Sequence, residues 1–241
     1  MTQPLISIIT VTYNSAATVR RTIESVKQQN YLNIEYIIVD GASTDNTVEI
    51  CKSALSGSNI KSTIISEPDS GIYDAMNKGI KIAKGDLIGI INSDDWYESN
   101  MFMDICDAWK VSGSGIYVGI MRSWLNNKEY LLERRSHLFL STYMILHPAT
   151  FITKDLYLKY GLYNTQYKYS ADLDLILKYD AQKVNFYYID KIISNFTIGG
   201  ASSTSVAVLE SLKVRLAYNL ITKRQFFLKR LKLTLKKIIG R

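Results

Sequence analysis

The sequence predicts an α/β protein whose mainly parallel, doubly wound sheet is flanked by helices. Three observations lead there. β-Branched apolar runs alternate with amphipathic segments over the first hundred residues, and repeated β-α-β units of this kind make parallel sheets with right-handed crossovers. A polar cluster follows three of these runs, where open α/β sheets place their ligands. Hydrophobic content of 47% and charged content of 21% over 241 residues are ordinary for a globular chain able to bury a sizeable core.

The elements follow in order. Ile6 to Thr12 reads as a buried strand, and Thr18 to Gln29 has helical spacing through Val19, Ile23 and Val26. Ile34 to Val39 is a second strand that ends at Asp40-Gly41, and Asp45 or Asn46 caps a helix to about Leu55. A third strand covers Ile60 to Ile65, Gly71 to Ala83 is helical, and Asp86 to Ile91 is a fourth strand. The second half is less regular. Asn100 to Val111 is a helix, and Ile116 to Trp124 pairs with Glu129 to Glu133 about Asn126-Asn127. His147 to Ile152 is a short strand, Lys154 to Tyr160 and Asp172 to Gln182 are helices, and Asn185 to Asp190 is a strand. Gly199-Gly200-Ala201-Ser202-Ser203 reads as a flexible loop before a helix over Val206 to Ile221.

Charge is unevenly placed. The net charge is +7, yet ten of the 29 Lys and Arg lie in 213–241, which holds no acid. The preceding residues are mildly acidic. In the tail, Phe227, Leu228, Leu231, Leu235, Ile238 and Ile239 share one helical side, opposite Lys229, Arg230, Lys232, Lys236 and Lys237. A basic amphipathic helix with this apolar face suits an anionic membrane interface. Packing on the body and a nucleic-acid-binding arm are the competing readings. Two cysteines, Cys51 and Cys106, lack metal-ligand spacing and read as reduced core thiols. The N-terminus lacks a basic n-region, no apolar run reaches spanning length, and a cytoplasmic setting is expected.

Chemistry concentrates at the strand ends. Asn92-Ser93-Asp94-Asp95 follows the apolar run Leu87 to Ile91, and adjacent carboxylates repel unless a cation or donors lie between them. A hard divalent ion carried by a substrate diphosphate is one resolution, and a helix cap at Asp94 or Asp95 is the other. Asp40 offers a carboxylate at the crevice, either to a base or ribose or to an Asx turn. Thr12-Tyr13-Asn14-Ser15 stands where a dinucleotide fold has its glycine fingerprint, and offers hydroxyls, a ring and an amide. Glu67 to Gly79 is dense in polar residues, and capping by Asp69 or Ser70 leaves Asn77 and Lys78 unexplained. Trp96, Tyr97 and Trp124 are either sugar-stacking or core aromatics.

Four ordered blocks resemble the family 2 glycosyltransferases of the GT-A fold. They are Ser7 to Asn14, Glu35 to Thr47, Glu67 to Gly79 and Asn92 to Tyr97. The similarity is strong over about residues 5–100 and extends more loosely to about 203, through His147 to Phe151 and Ser170 to Leu175. It implies a nucleotide-diphosphate-sugar donor, expected to be a UDP-sugar, with Mn²⁺ or Mg²⁺ and inversion at the anomeric carbon. Thr12 and Tyr13 would line the base pocket, Asp40 would accept from the base, and Asp94 would bind the ribose. Asp95 would coordinate the metal, with His147 a further ligand candidate. Asn14, Asp69, Asn77, Lys78 and Asn92 are additional donor-site candidates. Asp172 matches the general base, although Ala171 stands where the family often has Glu, which leaves Asp174 as its competitor.

The expected organisation is a glycosyltransferase domain over residues 1–205 and a basic helical tail over 206–241. Within the domain, about 1–100 form the nucleotide-sugar half and about 101–205 the acceptor half. The acceptor is expected to be a glycan or lipid-linked molecule of surface polysaccharide or envelope synthesis, reached from the inner face of the membrane, with no nucleic-acid partner. A metal-dependent nucleotidyltransferase and a basic-tailed nucleic-acid-binding module are the alternative functions. The first would need a glycine-rich phosphate loop after the first strand, which this sequence lacks.

Overall fold

The computed structural model describes residues 3–199 and 204–239, with side chains to residue 234. In chain order the elements are β1 (Ile6–Thr12), α1 (Val19–Lys27), β2 (Ile34–Asp40), α2 (Thr47–Leu55), β3 (Lys61–Ser66), α3 (Ile72–Ile82) and β4 (Leu87–Asn92). They continue with β5 (Trp96–Tyr97), α4 (Met101–Ser112), β6 (Ile116–Leu125), β7 (Lys128–Glu133), β8 (Thr150–Thr153), α5 (Lys154–Tyr160) and α6 (Ala171–Ala181). The last are β9 (Phe186–Thr197), α7 (Ser205–Ala217) and α8 (Lys223–Ile239).

One sheet runs β3-β2-β1-β4-β8-β6-β9-β5, with β7 paired to β6. The first four strands are parallel. β8 lies antiparallel between β4 and β6, which makes the sheet mixed in its second half. All residues of β1 and β2 are buried, so helices cover both faces there. Strand alternation then sorts the apolar side chains into two cores. Ile9, Val11, Ile88 and Ile90 pack with residues of α3 and α6, and Ile6, Ile8, Leu87 and Ile91 with residues of α1 and α4. A Cβ on Gly79 would come within 2.6 Å of Ile9 Cγ2, so glycine lets α3 lie close on β1. Both cysteines are buried free thiols, pushed up to about 12 at Cys51 and about 11 at Cys106 by burial.

Register aligns the polar strand ends. Thr12 lies opposite Asp40, Asp40 opposite Ser66, and Val11 opposite Asn92. The loops beyond them are stitched together. The Asn14 amide donates to Ser43 Oγ at 2.8 Å, Ser15 N to Thr47 Oγ1 at 2.7 Å, and Ala16 N to Asp45 Oδ2 at 3.1 Å. A 2.7 Å hydroxyl pair between Ser93 and Ser15 ties in the loop after β4.

Several expected elements differ in detail. The carboxylate pair caps no helix: Asn92 closes β4, Trp96–Tyr97 form β5, and the next helix begins at Met101. Neither Asp69 nor Ser70 caps α3, whose N-cap is Gly71 at φ +118. Asp69 Oδ1 accepts from Gly71 N at 2.8 Å instead. His147–Ala149 form a 3-10 turn before the strand, because Pro148 has no amide to donate to a ladder. β9 runs on to Thr197, well past Asp190, and α7 stops at Ala217. Asn126 and Asn127 both take positive φ, as a tight hairpin turn requires. The expected boundary at 205/206 falls inside α7. That helix belongs to the body, because Ala207, Leu212, Val214 and Arg215 are buried and Arg215 Nε donates to Leu140 O at 2.8 Å. In the Gly199 to Ser203 loop, only Gly199 lies within the described residues.

Candidate active site

At the end of β2, Asp40 is fully buried. Its Oδ2 accepts from Ser43 N at 2.9 Å and Ser66 Oγ at 2.7 Å, and its Oδ1 accepts from Ser43 Oγ at 2.5 Å. These donors make the carboxylate shape the Gly41–Ser43 turn. Gly41 brings that turn under Asp69: a Cβ there would lie 2.6 Å from Asp69 Oδ2 and 3.5 Å from the Tyr13 ring. Asp69 and the exposed Tyr13 therefore flank one surface above the strand ends.

The other nucleotide-side candidates divide by what holds them. Asn14, at φ +48, accepts from Thr44 N at 2.9 Å and so braces two loops. Asn77 is buried and bonded twice to Tyr163, giving Nδ2 to its carbonyl at 2.9 Å and accepting its amide at 3.0 Å. Lys78 donates to Pro68 O at 2.7 Å and pairs with Glu67 at 2.8 Å, which raises its pKa. Asn77 and Lys78, expected as donor contacts, thus each have partners within the chain. A buried amide must satisfy its own groups, and this lysine satisfies the loop that leads into α3.

Three other candidates are left with unsatisfied atoms. Thr12 Oγ1, Asn92 Oδ1 and Asp95 Oδ2 are buried without hydrogen-bond partners among the described residues. Buried polar atoms are rarely left so, and these sit on or beside neighbouring strand ends. Asp95 is fully buried, with Oδ1 accepting from Thr197 N at 3.0 Å. Burial first, then the charge of Asp94, drives its pKa well up. Asp94 is half-buried, and its pKa is also raised, by desolvation. Arg21, absent from the sequence-based candidates, braces this corner. It donates to Asp94 O at 2.7 Å and to Thr197 Oγ1 at 3.2 Å while lying 3.7 Å over the Trp96 ring. Trp124 meets the same ring at 5.7 Å, whereas Tyr97 is a core residue.

Oxygen-only donors suit a hard cation, and such an ion shared with a diphosphate needs one or two protein carboxylates. The Asp94–Asp95 pair with its orphaned oxygen fits that description. No group of three or more His, Cys, Asp or Glu residues fit to hold a metal occurs among the described residues. His147, the further ligand candidate, has a partner of its own. Its Nε2 pairs with the Tyr163 hydroxyl at 3.0 Å, and burial pulls its pKa down to about 4.

His147 instead lines a cavity of about 20 Å³, room for one water, together with Asp172, Tyr157 and Tyr163. Ile88, Ile90 and Ile176 line the same cavity, and burial raises the Asp172 carboxylate to about 6. Tyr73 of α3 donates to it, as does Leu173 N at 2.8 Å. Asp174 points elsewhere, accepting from the hydroxyl of Tyr218, just past the end of α7, at 3.1 Å. The structure therefore separates the two acids: one lies in a cavity, the other is tied between helices.

The α/β sheet, its stitched strand-end loops and the carboxylates at one edge define a GT-A fold. The glycosyl transferase family 2 model matches residues 7–167, and the chain belongs to that family. A PGL/p-HBAD biosynthesis glycosyltransferase of Mycobacterium bovis is 28% identical over 224 residues, covering 88% of this chain and 84% of that protein. Chondroitin synthase of Pasteurella multocida is 28% identical over 87% of this chain, which spans only 22% of that larger protein. Among solved structures, S. aureus TarS 1-349 in complex with UDP-GlcNAc superposes with a TM-score of 0.72 at 18% identity, over 95% of this chain and 72% of that one. The mannosyltransferase PcManGT from Pyrobaculum calidifontis, in complex with GDP-Man and Mn²⁺, gives 0.71 at 15% identity, over 98% and 70%.

Proposed function

We propose that this glycosyltransferase moves a sugar, with inversion, from a nucleotide-diphosphate sugar to a hydroxyl of a glycan or lipid-linked acceptor. A UDP-sugar is the donor this reading favours, since one superposing structure holds UDP-GlcNAc, although another holds GDP-Man. The observation that carries the reading is the group of buried oxygens on Thr12, Asn92 and Asp95 that have no partner among the described residues, at and just beyond the carboxyl ends of β1 and β4. A ligand with donors and a bound cation would satisfy all three.

In this reading Tyr13 and Asp69 flank the base and ribose, while Asp40 shapes their floor from beneath. Asp94 meets the ribose side of the donor, and Asp95 with it would hold Mn²⁺ or Mg²⁺. When bound, that ion would neutralise charge on the departing diphosphate. Asp172 takes the proton from the acceptor hydroxyl. Its apolar cavity helps by raising its pKa to about 6, near the operating range of a general base.

The tail supports a membrane-surface setting. Phe227, Leu228 and Leu231 of α8 are 64%, 48% and 45% exposed, so these apolar side chains are largely open to solvent. No helix among the described residues is long and apolar enough to cross a membrane. The chain would then sit peripherally on the inner face of the membrane, close to a lipid-linked acceptor.

A thermal-shift panel of nucleotide sugars, with and without Mn²⁺, tests the donor assignment, because a ligand bound only by the folded state raises its stability. UDP-sugars are expected to raise Tm more with the ion than without it. A flat response across the panel would overturn the reading.

A further inference from the structure

We infer that the chain carries a second anion site, a pocket for the phosphate of a membrane lipid at the root of α8. The pocket has a volume of about 330 Å³ and lies between α7, α8 and the segment before the 3-10 turn at His147. That volume is within the range of small-ligand sites, about 300–1,000 Å³. Arg215, Lys229 and Lys232 line it with the hydroxyl-bearing Ser141, Thr142 and Ser211, and no acid is in its lining.

Arg215 is the anchor. It is 6% exposed, and its guanidinium donates only to backbone oxygens, those of Leu140, Ser211 and Thr142. No carboxylate pairs with it among the described residues, although a buried cation is ordinarily paired. Glu210 is the nearest acid in sequence on α7, but it accepts from Lys168 N and Tyr169 N instead. An arginine held in place by carbonyls, with two lysines beside it, presents a fixed charge to a phosphate.

The same helix identifies the source of that phosphate. Lys229 and Lys232 turn into the pocket while Phe227, Leu228 and Leu231 stay exposed on α8. A helix lying at a bilayer surface buries such a face to headgroup depth, which puts the pocket where lipid phosphates are. This inference rests on the membrane-surface reading above, and adds to it a defined site in place of diffuse charge.

The test uses the full chain. Flotation with phosphatidylcholine vesicles containing phosphatidylglycerol reads lipid binding, and inorganic phosphate titrated at constant ionic strength reads the pocket by thermal shift. The double variant Lys229→Ala/Lys232→Ala is expected to lower vesicle binding by about tenfold or more and to abolish the phosphate shift. The charge-matched Arg224→Ala/Arg230→Ala, outside the pocket, should lose less vesicle binding and keep the shift. Phe227→Glu should lose vesicles and keep the shift, which separates the apolar face from the pocket. Equal losses in both double variants, or no saturable phosphate shift, overturn the pocket even if vesicles still bind. A phosphate shift in a wild-type chain that ignores vesicles overturns the lipid assignment and the membrane reading together.

Discussion

The parallel half of the sheet and the half beyond β4 hold their charges by opposite means. Asp40 sits among donors from Ser43 and Ser66, and the loops around it are cross-bonded through Asn14, Ser15 and Asp45. Asp172 shares a cavity with isoleucines and takes donors from Tyr73 and Leu173 N, and Arg215 is buried with backbone carbonyls as its hydrogen-bond partners among the described residues. The first arrangement gives a cross-bonded floor at the strand ends, which in the proposed reading would receive a nucleotide without reorganisation. The second leaves charges at raised energy, which suits groups that must take a proton or an anion.

The largest test of this contrast is at the base. Asp172→Asn should lower turnover by about 10²–10⁴-fold while donor-induced thermal shifts persist; a variant of normal activity would break the assignment. In the wild type, turnover should fall as pH drops below about 6, where the Asp172 carboxylate takes up a proton. A profile flat to pH 4.5 would contradict it.

Stability should divide the two halves in opposite directions. Asp40→Ala strips the acceptor from two serine hydroxyls and an amide and should cost about 3 kcal/mol or more in urea unfolding. Asp172→Asn should instead stabilise. Because the folded-state pKa is raised from 3.8 to about 6, stability at this site is fully present below pH 4 and lost as pH rises through 6. The substitution should therefore gain up to about 3 kcal/mol at pH 8 and nothing at pH 4, read as Tm at the two values.

Smaller effects sharpen the picture. Asn77→Ala removes two hydrogen bonds to the Tyr163 backbone and should cost about 1–3 kcal/mol, with donor affinity unchanged in the folded protein. A weakened donor Kd at full stability would restore Asn77 to the nucleotide site. Arg21→Ala, which frees Asp94 O and the Trp96 face, should cost about 1 kcal/mol by the same unfolding measurement.

Much of the first hundred residues was legible because their signals are local. The apolar run Leu87 to Ile91 and the polar residues after it are contiguous, so strand and carboxylates could be read together. What those carboxylates do was less legible. Whether Asp94 or Asp95 caps a helix depends on β5, a two-residue strand whose partner in β9 is about a hundred residues away. Asn77 and Lys78 stood out as polar residues on a helix, but their partners Tyr163 and Pro68 come from the fold. Arg21 carries no sequence signal at all, since its contacts at Asp94 and Thr197 lie 73 and 176 residues away.

By itself, then, the sequence determined the order of β and α units, the polar clusters at the strand ends, the family blocks and the amphipathic face of α8. These follow from periodicity and neighbouring residues, which act within a few residues along the chain. Tertiary structure alone decided which polar groups are satisfied and which are left open. It tied Asp174 to Tyr218 and left Asp172 in a cavity, closed donors around Asp40, and left oxygens of Thr12, Asn92 and Asp95 without partners among the described residues. Hydrogen bonding and desolvation depend on what the folded chain brings within a few ångströms, and no local pattern records that distance.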